Sequence, residues 1–169
     1  MSFWQIIGSN LFGFDWIIFL VAAGNGVCCY FARLYAGQLD RKLNMLVFVP
    51  SHKHDPEKVA RAIRNIDEGA VVSLRKKSEA FYSVFANLTA IFPLLGILGT
   101  VISLLPMVAE MADMSQNFFA ALTSTFWGLV FAIAFKLLDG FLAARIEDND
   151  KNVKLLLERR QLLKDEAAL

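Results

Sequence analysis

The sequence predicts an all-α membrane protein with three transmembrane helices, of which the second and third are long and extend into the cytoplasm. Two observations lead to this fold class. Three stretches with little or no charge are long enough to cross a bilayer, and every lysine and arginine falls on one side of the topology that these stretches create. The chain is also 56% hydrophobic over 169 residues, whereas soluble domains are about 45–50% apolar.

The three spans follow from length and charge. A helix crosses a bilayer core of roughly 30 Å with about 20 largely apolar residues. Residues 16–32 carry no charge, residues 80–109 form an uncharged run of 30, and residues 114–135 form an uncharged run of 22. Because the second run is longer than a bilayer requires, we expect its first part, near residues 80–86, to begin in the cytoplasm.

The basic residues predict the orientation, because loops rich in lysine and arginine stay in the cytoplasm. None occurs in residues 1–32 or 110–117, whereas ten occur in 33–79 and seven in 136–169. The N-terminus is therefore expected outside and the C-terminus in the cytoplasm. The predicted organisation is an outer N-terminus with the first transmembrane helix (1–32), a cytoplasmic helical loop (33–79), the second transmembrane helix (80–109), an outer hairpin (110–117), the third transmembrane helix (118–140) and a cytoplasmic helical tail (141–169).

Local signals subdivide the cytoplasmic segments. Asp55, followed by a proline and a glutamate, is typical of a helix start. We expect Gly69 to bend or end that helix before the long one begins. In the tail, Val153, Leu156 and Leu163 are spaced to form one apolar face. This face is expected to pack on the inner extension of the second membrane helix.

The second and third membrane helices each carry a face of small or mildly polar residues, at steps of three and four. These are Ala86, Thr89, Pro93, Gly96, Thr100 and Ser103 on the second helix, and Asn117, Ala121, Thr125, Gly128, Ala132, Lys136 and Asp139 on the third. Small residues let membrane helices approach closely. The pattern therefore indicates either close helix packing or a surface toward a pore or a partner, and the residues alone leave both interpretations open.

Thr100 and Thr125 stand at similar predicted depths on these two faces. With the outer boundary near Met107 and Gln116, Thr100 lies about 10 Å and Thr125 about 14 Å below it, at 1.5 Å per residue. Hydroxyl groups there can pass a proton along water or replace part of an ion's hydration. Neither face holds Asp, Glu or His in its membrane core, although intramembrane proton carriers are normally ionisable. Proton conduction would therefore require a carboxylate from a second protein.

Other candidate sites are weaker. His52 and His54 are too few to hold zinc. Asp15, near the outer end of the first span, is interpreted as an interface residue rather than a proton site, and Lys136 and Asp139 are expected to pair one turn apart. With no nucleophile–base set, phosphate-binding glycine loop or HExxH motif, we predict no catalytic residues, no metal and no cofactor. The net charge of +1 gives no indication of a nucleic-acid partner.

Two stretches resemble a known family. Residues 92–101, FPLLGILGTV, resemble the P-x-x-G-x-x-G-T-V signature of the ExbB/TolQ branch of the MotA/TolQ/ExbB proton channel family. Residues 121–130, ALTSTFWGLV, resemble that family's third-helix pattern A-L-x-x-T-x-x-G-L. The resemblance covers residues 80–145. It implies a homopentamer whose second and third helices surround the single membrane helices of a dimeric partner of the ExbD/TolR/MotB kind.

The resemblance also implies a role for the two threonines. In that family the partner carries an intramembrane Asp, and Thr100 and Thr125 match the two hydroxyl positions near it. The expected setting is the lipid bilayer of the bacterial cytoplasmic membrane, where ion flow would drive work at the cell envelope. The chain departs from some relatives at about Ala120, where they have a Glu, and at Ala134, where many have a Pro.

Three rival interpretations stay open. The small faces fit a non-conducting membrane scaffold in which they only pack. The hydroxyl run from Thr123 to Thr125 fits a sodium-driven motor subunit, although Thr123 and Ser124 are expected to face away from Thr125. An intramembrane enzyme lacks any candidate catalytic group.

Overall fold

The computed structural model describes residues 15–47, 66–109 and 114–166. These residues form three α-helices, α1 (Trp16–Val47), α2 (Glu68–Ala109) and α3 (Met114–Glu166). Each helix is long and apolar enough to cross a membrane. The predicted all-helical fold with three candidate spans is therefore confirmed, whereas the orientation and the cytoplasmic extensions stay predictions.

The helices run beyond the predicted spans. α1 continues to Val47 and α2 begins at Glu68, so both ends of the predicted loop 33–79 are helical. α3 begins at Met114, inside the stretch predicted as the outer hairpin. The helix predicted to start at Asp55, and the two histidines near it, lie outside the described residues.

The start of α2 differs from the expectation that Gly69 bends or ends a helix. Gly69 lies in the first turn of α2. The Oδ1 atom of Asp67 accepts a hydrogen bond from the backbone N–H of Ala70 at 3.2 Å. Asp67 is thus the N-cap, which satisfies one of the backbone donors that a helix start leaves unpaired. The expectation at Gly69 was wrong because Asp67 caps the start of α2, so that Gly69 lies inside this helix.

The described residues divide between two compact units. Unit 1 consists of the described residues within Met1–Cys29 and Ser83–Gly140, and unit 2 of those within Tyr30–Tyr82 and Phe141–Leu169. The core of unit 1 is an apolar cluster of Ile18, Ala22 and Phe92, against which Val21, Leu95, Trp127, Phe131, Ala132 and Phe135 pack. The rings of Phe92 and Phe135 stack with centroids 5.3 Å apart. Bulky residues of α2 such as Phe92 therefore pack inside the chain.

The surface of unit 1 is strongly apolar. Many of its large hydrophobic side chains are exposed, among them Leu94, Ile97, Leu105, Ile133 and Leu137. Soluble monomers rarely expose contiguous apolar patches of this kind. A bilayer or neighbouring apolar helices are the environment that such a surface requires.

Unit 2 has its own core. Val153 and Leu156 of the tail are buried with Leu39, Leu43 and Val71, and Leu163 packs on the same cluster. This confirms that Val153, Leu156 and Leu163 form one apolar face and that the face packs on α2. Polar contacts surround the cluster: Arg75 pairs with Asp150, Arg145 with Asp40 at 3.0 Å, and the Nδ2 of Asn149 donates to the carbonyl of Ala36 at 2.9 Å.

Candidate ion-path site in unit 1

α2 and α3 approach most closely where two glycines of the predicted small faces meet. A Cβ atom built on Gly128 would lie 2.8 Å from the Cα of Gly96 and 2.8 Å from the carbonyl oxygen of Phe92. A Cβ on Gly96 would lie 3.2 Å from the Cα of Thr125. Real side chains do not tolerate the first of these distances, so the crossing requires glycine at position 128. Missing side chains let the two backbones touch.

The close crossing brings the Thr100 and Thr125 hydroxyl groups into a hydrogen bond with each other. The sequence placed the two hydroxyl groups only at similar depths, so this direct contact is a finding of the structure. Thr100 Oγ1 also lies 3.0 Å from the carbonyl oxygen of Gly96 and 3.3 Å from that of Ala121. Thr125 Oγ1 lies 3.3 Å from the Gly96 carbonyl. Both side chains are half-buried.

A count of hydrogens shows that this pair has two possible arrangements. Each threonine has one hydroxyl hydrogen. Thr100 can donate to Thr125 while Thr125 donates to the Gly96 carbonyl. Alternatively, Thr125 can donate to Thr100 while Thr100 donates to the carbonyl of Gly96 or Ala121. Both arrangements use the observed contacts, so the pair can reverse its direction without moving heavy atoms, as a proton relay must.

A second polar contact lies on the α2 face at Thr89, which is buried. Asn25 of α1 donates through Nδ2 to Thr89 Oγ1 at 3.0 Å, and Thr89 Oγ1 donates to the Phe85 carbonyl at 2.8 Å. The Asn25 Oδ1 atom is buried without a hydrogen-bond partner among the described residues. Asn25 belongs to none of the motifs or faces predicted from the sequence. The available signal was an amide side chain inside an uncharged span, since such groups usually bond to a neighbouring helix.

The remaining residues of the predicted faces have mixed environments. Ala121 is buried, and Ala86, Pro93, Ser103, Asn117 and Ala132 are half-buried. The predicted pair of Lys136 and Asp139 is present at 2.7 Å, with the lysine side chain 76% exposed and the aspartate side chain 10% exposed. Thr89, Gly96, Ala121 and Gly128 are therefore packed within the chain itself. Whether any of these residues faces a pore or a partner stays a prediction.

Asp15 is buried within the chain, with only 2% of its surface exposed. Its position at the membrane interface stays a prediction. Its Oδ1 accepts a hydrogen bond from the hydroxyl of Ser124 on α3. The two residues are 109 positions apart, so no local pattern could have indicated the pair; only the packing of the start of α1 on α3 creates it.

No group of three or more His, Cys, Asp or Glu side chains that could hold a metal ion occurs within residues 15–47, 66–109 and 114–166. The chemistry that the unit 1 site offers is hydrogen bonding and proton exchange by hydroxyl and carboxyl groups. Thr100 and Thr125 are its hydroxyl groups at the α2–α3 crossing.

The fold and the site together define a polytopic helical membrane protein with hydroxyl groups held inside an apolar bundle. The model of the MotA/TolQ/ExbB proton channel family matches residues 32–154. Because the match covers most of the chain, the protein belongs to this family, whose members are channels that work in membrane complexes. No curated protein and no solved structure matches the chain.

Proposed function

We propose that the chain is the channel subunit of an ion-driven membrane motor of the ExbB/TolQ branch. In this proposal five copies surround a dimer of a single-span partner of the ExbD/TolR/MotB kind, which carries an intramembrane Asp. The complex sits in the bacterial cytoplasmic membrane with the N-terminus of this chain outside. Proton flow through it drives work at the cell envelope. Family membership supports the channel, and the signature in residues 92–101 supports the branch.

The observation that carries the proposal is the hydrogen-bonded pair of Thr100 and Thr125. A hydroxyl pair whose hydrogen bonds can run in either direction can pass a proton but cannot store one. The two hydroxyl groups bond to each other and to the backbone carbonyls of Gly96 and Ala121. In this proposal the ionisable group that exchanges protons with the pair is supplied by a partner.

The exposure of the pair is consistent with a partner helix. Both threonines are half-buried in the isolated chain, so one side of each remains open to a neighbour. The apolar surface of unit 1 requires cover by lipid or by other helices. Assembly of several copies would provide that cover and would enclose a path that one copy cannot form.

Proton uptake into vesicles that contain the chain and its partner tests the proposal. Thr125→Val keeps the side-chain shape but removes the hydroxyl group, so it should abolish or strongly reduce uptake while the complex keeps its size. Thr100→Val should act in the same direction. Thr125→Ser keeps the hydroxyl and should retain much of the uptake. Thr123→Val is the matched control, because Thr123 Oγ1 donates within its own helix, to the Ala120 carbonyl at 2.9 Å.

A non-conducting scaffold is the second candidate. The observation in its favour is that Thr89, Gly96 and Gly128 are used in packing inside the chain. A scaffold predicts that the valine variants matter only when the complex loses its size, and that Thr→Ser is as harmful as Thr→Val. Full proton uptake in a correctly sized Thr100→Val/Thr125→Val complex would exclude both threonines from conduction. A sodium-driven motor would instead take up sodium ions into the vesicles under a sodium gradient, with equal pH on both sides.

A further inference from the structure

Asp15 is a buried ionisable group that the proposed path through Thr100 and Thr125 does not use. It immediately precedes α1 and is 2% exposed. It also lies outside residues 32–154, which the family model matches. A buried carboxyl group in an apolar bundle is costly to maintain unless its environment supports it. The groups that surround Asp15 therefore indicate how the buried carboxyl group is stabilised.

The charged groups around Asp15 are few. Within the described residues of unit 1 the other charged side chains are Lys136 and Asp139, both on α3. Lys136 is twelve positions beyond Ser124, which is about 18 Å along the helix at 1.5 Å per residue. Glu110 and Asp113 lie outside the described residues. Among the described residues, the side chain that bonds to the Asp15 carboxyl group is Ser124.

The hydrogen bonds of Ser124 fit both protonation states of Asp15. The Ser124 hydroxyl lies within hydrogen-bonding distance of Asp15 Oδ1 and also 3.2 Å from the Ala120 carbonyl oxygen. Its single hydrogen can serve one of them at a time. When Asp15 is ionised, Ser124 donates to the carboxylate. When Asp15 carries a proton, the carboxyl group donates to Ser124 and Ser124 donates to the Ala120 carbonyl.

We propose that Asp15 and Ser124 form a reversible proton-binding site that belongs to this chain itself, in addition to any carboxylate that a partner supplies. The carboxylate takes a proton from water and becomes a neutral carboxylic acid, and release reverses the step. Rotation of one hydroxyl group accommodates both states. Ser124 and Thr125 point about 100° apart around α3, so this site is separate from the hydroxyl pair and its proton binding does not rest on the proposed function.

Infrared difference spectroscopy of the full chain in lipid vesicles, recorded as the pH is changed, tests the binding without a partner. The expected result is a C=O stretching band of a protonated carboxylic acid that appears as the pH falls, is absent in Asp15→Asn and persists in Asp139→Asn. Ser124→Ala removes a donor to the ionised form, so it should raise the midpoint pH of this band by about one to two units. Ser124→Thr keeps the hydroxyl group and should restore the midpoint.

Two outcomes would overturn the site: no pH-dependent carboxyl band that Asp15→Asn removes, or a band whose midpoint is the same in Ser124→Ala. If Asp15→Asn fails to insert, the Ser124 variants still read the same band. Proton uptake with the partner separates this inference from the proposed function. If the Asp15 band titrates but the complex takes up no protons, the proton-binding site is supported and the proposed channel is contradicted. If the complex takes up protons but no Asp15 band is found, the channel is supported and the site is contradicted.

Discussion

Gly128 and Gly96 face each other across the α2–α3 crossing so closely that a Cβ atom on Gly128 would lie 2.8 Å from the Cα of Gly96. The obstructing atoms are backbone, including the Phe92 carbonyl, so no side-chain rotation can make room. A methyl group at position 128 must therefore move the helices apart. The hydroxyl pair of Thr100 and Thr125 depends on this same approach.

Gly128→Ala is accordingly expected to destabilise the chain by about 1–3 kcal/mol, the usual range for overpacking, and to lower proton uptake. Thermal unfolding in mild detergent measures the first effect. Gly96→Ala should be milder, because its Cβ would lie no closer than 3.2 Å to its neighbours.

Gly140→Ala is the control on the same helix. A Cβ there meets nothing within 4 Å, so the substitution should be neutral or stabilising by up to about 1 kcal/mol through helix propensity. Equal losses in the Gly128 and Gly140 variants would show that the crossing is not the cause.

The hydrogen bond between Asn25 and Thr89 should be measurable as a coupling energy. Thr89→Val leaves the buried Asn25 amide without its acceptor, and Asn25→Leu removes the amide itself. The double variant should be more stable than the sum of the single losses predicts, by about 0.5–2 kcal/mol. Strictly additive losses in unfolding experiments would contradict the hydrogen bond.

Asp67 is expected to stabilise the start of α2. Asp67→Ala removes the acceptor of the Ala70 N–H and should cost about 1 kcal/mol, as the loss of an N-cap does. Asp67→Ser and Asp67→Asn keep a capping oxygen and should stay close to the parent protein. Hydrogen exchange at the backbone amides of the first turn measures the effect locally; unchanged exchange in Asp67→Ala would rule out the cap.

Unit 2 should lose stability in acid through Asp150. A hydrogen bond from Lys154 and the charge of Arg75 lower the pKa of the Asp150 carboxyl below its ordinary value of 3.8, although burial opposes them. A carboxyl whose folded-state pKa is lowered stabilises the protein above that ordinary value, and the contribution disappears as the pH falls through the folded-state pKa. Asp150→Asn should therefore be less stable at neutral pH. Its free energy of unfolding should also fall less steeply than that of the parent protein as the pH is lowered. Glu147→Gln is the control, because the Glu147–Lys151 pair is highly exposed and such pairs contribute little.

The three candidate spans could be predicted because long apolar runs are required by the bilayer, whatever the details of packing. Spacing along each helix placed Thr100 and Thr125 on faces of small residues at similar depths, but it did not predict the hydrogen bond between them. The partners of Asp15 and Asn25 could not be predicted in this way. They depend on how α1 is rotated about its axis relative to its neighbours, and the spacing of residues within one helix does not indicate that angle. Gly69 was misjudged for a local reason, since the capping side chain of Asp67 precedes it by two positions.

One turn of α3 offers a hydroxyl group in three successive directions. Thr123 bonds to its own helix, Ser124 bonds to the start of α1 and Thr125 bonds to α2. Adjacent helical residues differ by about 100° around the axis. Within one turn, α3 therefore uses the same polar group for three separate contacts, and two of them hold it to its neighbours in the bundle.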